Sequence, residues 1–117
     1  MPFDAEVSAL RDSSRHIELA QRFVAGVDYS EFQSDLMRLY AVVRRLEVIS
    51  EASRRLSSEL KSRHPGIPWR NIAGAGNVYR HSYEDVAAKM VWETLQSALP
   101  ELQAAVALEL HRGTSAR

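Results

Sequence analysis

The stretch from residue 32 to residue 60, FQSDLMRLYAVVRRLEVISEASRRLSSEL, decides the fold class. Its apolar positions recur at intervals of three and four, with one serine in the series: Phe32, Leu36, Leu39, Val43, Leu46, Ile49, Ser53, Leu56 and Leu60. This period indicates an amphipathic helix, and neither glycine nor proline interrupts it. Ser30 and Gln33 have the capping-box form, so we expect Ser30 to be the N-cap. The stretch predicts one helix of about eight turns, a length typical of a bundle.

Similar periods lie on both sides of this stretch. An amphipathic helix is predicted from the N-terminus to about residue 27, where Gly26 and Asp28 end it. Pro68 opens a third, shorter helix, and Asp85 is the expected cap of a fourth. Pro100 either kinks that fourth helix or begins a fifth.

These periods predict an all-α protein, an up-and-down bundle of four to five helices. Nothing in the chain has the alternation of a β-strand. We expect residues 1–112 to form a single helical domain and residues 113–117 to be a flexible tail.

Composition excludes several classes of site. The 117 residues include no cysteine, which excludes disulfide scaffolds, thiolate zinc sites and cysteine nucleophiles. No apolar run approaches the length of a membrane helix, and the acidic N-terminus does not resemble a secretory signal. We therefore expect a cytoplasmic protein without a membrane partner.

The balance of charge is uneven along the chain. Fifteen basic and fifteen acidic side chains give a net charge of zero. Residues 34–81 carry nine basic and four acidic side chains, whereas residues 1–33 carry three and six, and residues 82–117 carry three and five. A phosphate-bearing ligand is therefore expected at the middle segment.

The segment IPWRNIAGAGNVYRHSY, residues 67–83, has the composition of a chemical site. Asn77 and His81 are four residues apart and share one face of a helix. A histidine with a pKa near neutrality can move protons in either direction, and the neighbouring Arg80 can stabilise charge on a phosphoryl group. These groups suffice for metal-independent RNA cleavage, although a histidine that caps or packs at a helix end has the same spacing.

Five stretches match a known family in order and spacing between Phe32 and Leu102. They are LEVISEA (46–52), HPGIPWR (64–70), NVYRHSY (77–83), VWET (91–94) and LPEL (99–102). On these residues the chain resembles the HepT-like family of HEPN domains.

The resemblance implies a helical bundle that dimerises, with paired motif helices around a shared cleft. It implies the toxin half of a toxin–antitoxin pair, an endoribonuclease without a cofactor, whose antitoxin is a small MntA-type nucleotidyltransferase. The family's catalytic pattern is Arg-x4-His-x-Tyr. His81 matches its histidine, Asn77 matches the polar residue after the arginine, and Tyr83 matches the tyrosine to which the partner transfers AMP.

The arginine of the pattern is absent, because Gly76 stands in its place. Arg80 or Arg70 is the replacement we consider for binding RNA or phosphate. Since Arg80 points about 100° away from His81 on a helix, it serves a partner subunit's site more easily than its own. The alternative is a catalytically impaired subunit that retains binding of a nucleotidyltransferase or nucleotide.

Other polar residues have structural interpretations beside functional ones. Arg44, Arg45, Arg54 and Arg55 form either an RNA-guiding surface or a solvated helix flank. For His64 we favour helix capping, and for Trp69 and Trp92 we favour packing. No set of His, Asp and Glu residues has the spacing of a metal site.

Overall fold

A computed structural model of the chain describes residues 2–81 and 83–115, without the side chains of residues 2–4, 80, 81, 114 and 115. Every regular element in that part is helical: α1 (Pro2–Phe23), α2 (Tyr29–Ser34), α3 (Leu36–Arg54), α4 (Ser58–Ser62), α5 (Trp69–His81), α6 (Glu84–Gln96) and α7 (Ala98–Ser115). The predicted all-α bundle is confirmed. Five of these helices have 13 or more residues, and α2 and α4 have six and five.

The single long helix expected from Ser30 onward is wrong, because three helices occupy its place. Asp28, Asp35 and Ser57 are the N-caps of α2, α3 and α4. Each side chain accepts a hydrogen bond from the backbone N–H three residues further on, at 2.9, 3.0 and 3.1 Å. In a continuous helix these N–H groups would donate to backbone carbonyls of the preceding turn. Here the short polar side chains accept those hydrogen bonds instead, and the backbone is extended at each N-cap.

Two other boundaries decide alternatives left open above. The N-cap of α6 is Tyr83, not Asp85, and its side chain makes no capping hydrogen bond. Pro100 lies in the first turn of α7, so it belongs to the start of a further helix rather than to a kink. Helix α7 runs to Ser115, and residues 116 and 117 lie outside the described residues. The division into a domain of residues 1–112 and a flexible tail of residues 113–117 stays a prediction.

Helix α3 is the centre of the bundle. It packs along α1 on one side and α5 on another, while α7 packs against α1 and α6. The largest fully buried side chains come from five of the helices: Phe32, Ile17, Leu39, Ile49, Leu102, Val42, Val91 and Val106. Helix α3, which comes from the longest apolar period of the sequence, is therefore the helix that most of the others contact, and it fixes where α5 lies.

A buried carboxylate joins α7 to the end of α4. Glu109 is only 4% exposed, and Arg63 donates to both of its oxygens, from Nη2 at 2.7 Å and from Nε at 3.2 Å. His64 Nε2 lies 2.7 Å from Glu109 Oε2. The bonds from Arg63, and then that from His64, hold the pKa of Glu109 below its ordinary value. His64 therefore contributes to this cluster, whereas the sequence suggested a helix cap.

Candidate functional site

The start of α5 is fixed by Trp69. Its indole N–H donates to the backbone carbonyls of Lys61, at 3.1 Å, and His64, at 3.0 Å. Lys61 lies in the last turn of α4 and His64 follows that helix, and each carbonyl also accepts a backbone N–H. The half-buried ring thus ties the helix that carries the motif to the segment before it, in agreement with packing rather than base stacking.

At Gly76, α5 approaches α3 closely. A Cβ atom at this residue would lie 3.4 Å from both Cα and Cγ of Glu47. Its N–H also donates to the Oγ atom of the buried Ser50, at 3.3 Å. The close approach of α3 offsets the helix-destabilising cost of a glycine at this position.

The inner face of α5 is structural. Tyr79 is 6% exposed, and its hydroxyl lies 2.8 Å from Thr94 Oγ1. Because the Thr94 hydroxyl itself donates to the carbonyl of Met90, Tyr79 is the donor to Thr94. Burial raises the pKa of Tyr79, so this phenol is a neutral packing group and not an acid or base at neutral pH.

Two of the predicted site residues lie on the outer face of α5. Arg70 and Asn77 are both exposed, and their spacing of seven residues places them two turns apart on this face. Since α5 is continuous to His81, the four-residue spacing from Asn77 to His81 falls within one helix. The side chains of His81 and Arg80 lie outside the described residues. Tyr83 follows α5 directly and is 88% exposed.

The geometry separates Arg70 from position 81. Eleven residues of helix place their Cα atoms about 16 Å apart. Side chains on a helix also lean toward its N-terminus, so Arg70 points away from the end that carries the motif. Within one chain, Arg70 therefore lies too far from position 81 to share one small site with it.

A groove of about 580 Å³ runs beside this face, between α5 and the helices α6 and α7. Arg70, Asn71 and Glu93 are among its polar lining residues, and Val78 and Met90 are among its apolar ones. The sequence did not predict this groove, because its walls come from segments about 20 residues apart whose separation only the packed fold sets.

The arginines of α3 do not form one surface. Arg54 donates to the carbonyl of Ala73 in α5 at 2.6 Å, and Arg55 binds Asp12 at 2.9 Å and Glu51 at 3.3 Å. These two guanidinium groups join helices. Arg44 and Arg45 lie nearer the start of α3, where Arg44 is 64% exposed.

Two further sequence expectations concern metal ions and membranes. Among the described residues, no group of three His, Asp or Glu side chains is placed to hold a metal ion. None of the helices, over the part that the structure describes, is long and apolar enough to cross a membrane.

Comparisons with known proteins agree with the motif. The family described as Ribonuclease HepT-like matches residues 14–108. "Probable ribonuclease HepT" of Thermococcus cleftensis is 34% identical over 94 residues, which cover 80% of this chain and 86% of that protein. "Putative RNase MJ1380" of Methanocaldococcus jannaschii is 32% identical over 81 residues, 69% of this chain and 74% of that one. "Putative RNase TTE0752" of Caldanaerobacter subterraneus is 36% identical over 80 residues, 68% of this chain and 71% of that one. No solved structure matches the chain.

Proposed function

This chain belongs to the Ribonuclease HepT-like family, and we propose that it is an endoribonuclease that works without a metal ion. The observation that carries the proposal is the outer face of α5, where an exposed Asn77 lies one turn before position 81 in a continuous helix. The exposed Tyr83 follows immediately. The pattern His-x-Tyr thus begins at the last residue of α5 and ends at an exposed tyrosine.

The proposed reaction is transfer of the RNA phosphodiester to its own 2′-hydroxyl. The 2′-oxygen attacks the adjacent phosphorus, the bond from phosphorus to the 5′-oxygen breaks, and a 2′,3′-cyclic phosphate and a 5′-hydroxyl form. His81 removes the proton from the 2′-hydroxyl or supplies one to the leaving oxygen, which a histidine does well near neutral pH. Asn77 orients the imidazole or the phosphate.

A guanidinium must stabilise the charge that grows on the phosphoryl oxygens. Gly76 cannot supply it, and Arg70 is too far along α5 to serve the same chain's His81. We therefore assign this role to Arg80 of a second subunit in a homodimer. Because successive residues of a helix are about 100° apart around its axis, we expect Arg80 to serve a neighbouring site more easily than the site of its own His81. Arg70 then binds another phosphate of the same strand.

The test compares the purified wild-type chain with His81→Ala on single-stranded RNA. We expect the wild type to cleave and the variant to lose at least about a hundredfold in rate, since general acid–base catalysis typically contributes that much. His111→Ala on the exposed side of α7 is the matched control and should keep wild-type activity. Equal cleavage rates for wild type and His81→Ala would refute the assignment.

We further propose that the chain is a cytoplasmic toxin whose antitoxin is an MntA-like nucleotidyltransferase, and that the antitoxin adds AMP to Tyr83. The phenol is 88% exposed and its side chain makes no capping bond, so a partner enzyme has access to it. Its oxygen would attack the α-phosphorus of ATP and release pyrophosphate. The added nucleotide, two residues from His81, would block the site by bulk and charge.

The modification is tested by co-expression with the neighbouring nucleotidyltransferase, if the adjacent reading frame encodes one, followed by mass spectrometry of the intact chain. We expect a mass increase of AMP, its loss in Tyr83→Phe, and weaker RNA cleavage by the modified protein. Tyr40→Phe is the control, because Tyr40 is also exposed, at 54%, but donates its hydroxyl to Glu84 at 2.7 Å. AMP found on Tyr83→Phe would contradict the proposal.

The second candidate function is a catalytically impaired subunit that binds a nucleotidyltransferase or nucleotide. The burial of Gly76 against Glu47 favours it, because the position of the motif arginine is used here for helix packing. The same cleavage assay separates the two functions. A wild-type chain that binds the nucleotidyltransferase but cuts no RNA would support the binding subunit.

A further inference from the structure

Helices α1 and α3 meet at an unusual pair of basic side chains. Arg45 Nη1 of α3 lies 3.2 Å from His16 Nδ1 of α1. A guanidinium can only donate, so Nδ1 is the acceptor and the ring proton is on Nε2. Burial, and then the charge of Arg45, lowers the pKa of His16, so the imidazole is neutral in the free protein near pH 7.

Positive charge exceeds negative charge around this pair. The charged groups that act on His16 are Asp12 and Arg15 from its own helix and Arg44 and Arg45 from α3, and no residue of α7 is among them. Asp12 is already bound to Arg55 at 2.9 Å. Arg15, His16, Arg44 and Arg45 are here named the α1–α3 cation cluster. Two acids lie beside these four groups: Asp12, which is shared with Arg55, and Glu47, which pairs with Arg44 at 3.9 Å.

The guanidinium of Arg45 also has an unused edge. Its Nε atom is buried and has no hydrogen-bond partner in the part of the chain that the structure describes. His16 occupies Nη1, which leaves Nε and Nη2, the pair of donors that binds a phosphate through two parallel bonds. A buried donor without an acceptor is costly, so an anion that draws this group outward satisfies it.

We propose that the α1–α3 cation cluster is a phosphate-binding site, and that its ligand is a phosphodiester of RNA bound away from the motif helix. The assignment of RNA rests on the proposed function, whereas the anion site itself does not. Arg45 contacts α1, whereas Glu47 and Ser50 contact α5, so Arg45 and His16 lie on a different side of α3 from the motif helix. Arg44 pairs with Glu47 at 3.9 Å. Two such sites on one chain would hold a strand at two points.

The proposal includes proton uptake. A phosphate beside His16 offsets the charges of Arg15, Arg44 and Arg45 and favours the imidazolium. Binding should therefore raise the pKa of His16 and should itself strengthen as the pH falls.

The test uses the full-length His81→Ala variant, so that no strand is cut whether or not the wild-type chain is a ribonuclease. The pKa of His16 is measured from its ring resonances alone, with inorganic phosphate, and with a single-stranded RNA oligonucleotide. We expect both ligands to raise this pKa, and the affinity for RNA to be higher at about pH 6 than at about pH 8. A response to RNA alone also supports the site. A response to inorganic phosphate alone overturns the assignment to RNA, and no response to either overturns the site.

Variants in the same background locate the effect. Arg45→Met should weaken RNA binding about tenfold, the loss expected for one charge-assisted pair, and should reduce the salt dependence by about one phosphate contact. His16→Gln, which keeps the helix contact, should remove the pH dependence even if Arg45→Met fails to fold. Arg22→Met is the matched control, because Arg22 is exposed on α1 and is not among the groups that act on His16. Equal losses in Arg45→Met and Arg22→Met would show general surface charge and overturn the site.

Discussion

At the scale of single residues, Glu109 shows how a buried charge is made tolerable in this bundle. Its carboxylate is 4% exposed and receives two bonds from Arg63 and one contact from His64. Arg63 reaches it from the end of α4, so the cluster fastens the last helix to the middle of the chain. Removing one partner of such a set leaves the others desolvated without compensation.

We expect Glu109→Gln to lower the free energy of unfolding by about 2 kcal/mol near neutral pH, because Arg63 loses its charged partner. The loss is no larger because the Arg63 side chain is 32% exposed and water can bind part of it. The folded-state pKa of Glu109 lies below its ordinary value of 4.5. Its contribution is therefore complete above pH 4.5 and is lost as the pH falls through the folded-state value. Urea unfolding as a function of pH measures the difference, with Glu101→Gln on the exposed side of α7 as control. A difference that stayed constant into the acid range would contradict this explanation.

At the scale of helices, the apolar period predicted the long helices, because one face of each is buried and the buried positions therefore recur with every helical turn. The starts of α3 and α4 were missed, because Asp35 and Ser57 act as caps only once the backbone leaves the helix, and the same residues fit a solvated helix face. Burial of one face therefore predicts that a helix exists, whereas local hydrogen bonding decides where it breaks.

In the candidate site, too, local features were predicted from the sequence, and contacts between distant segments were not. The spacing of Asn77 and His81 lies on one helix as predicted, because it depends only on the local period. The close approach of Gly76 to Glu47 spans 29 residues of sequence, as does the contact of Arg45 with His16. Such partners cannot be identified from a single sequence, since nothing local distinguishes Arg45 from Arg44 before α1 packs against α3.

At the scale of the whole molecule, the net charge of zero does not show that the arginines differ in what they contact. Residues 34–81 hold the basic excess, but three of their arginines bind groups of other helices: Arg54, Arg55 and Arg63. Arg44 and Arg70 are exposed, and Arg45 is partly buried against His16. Under the proposed function few arginines of one chain lie near the motif, so we expect a complete site to need a second chain.

Mixed dimers test that argument, because His81→Ala and Arg80→Ala would each remove one half of a site shared between subunits. If Arg80 acts on the partner's His81, a dimer with one subunit of each kind has one intact site, and random mixing of equal amounts should restore about a quarter of wild-type cleavage. If Arg80 acts on its own subunit's His81, every site lacks one group and the mixture stays as inactive as either variant. Cleavage of labelled RNA is measured after the variants are unfolded and refolded together, with His81→Ala refolded alone as the control. An inactive mixture, with mixed dimers confirmed by native mass spectrometry, would rule out the shared site and leave each chain to supply its own guanidinium.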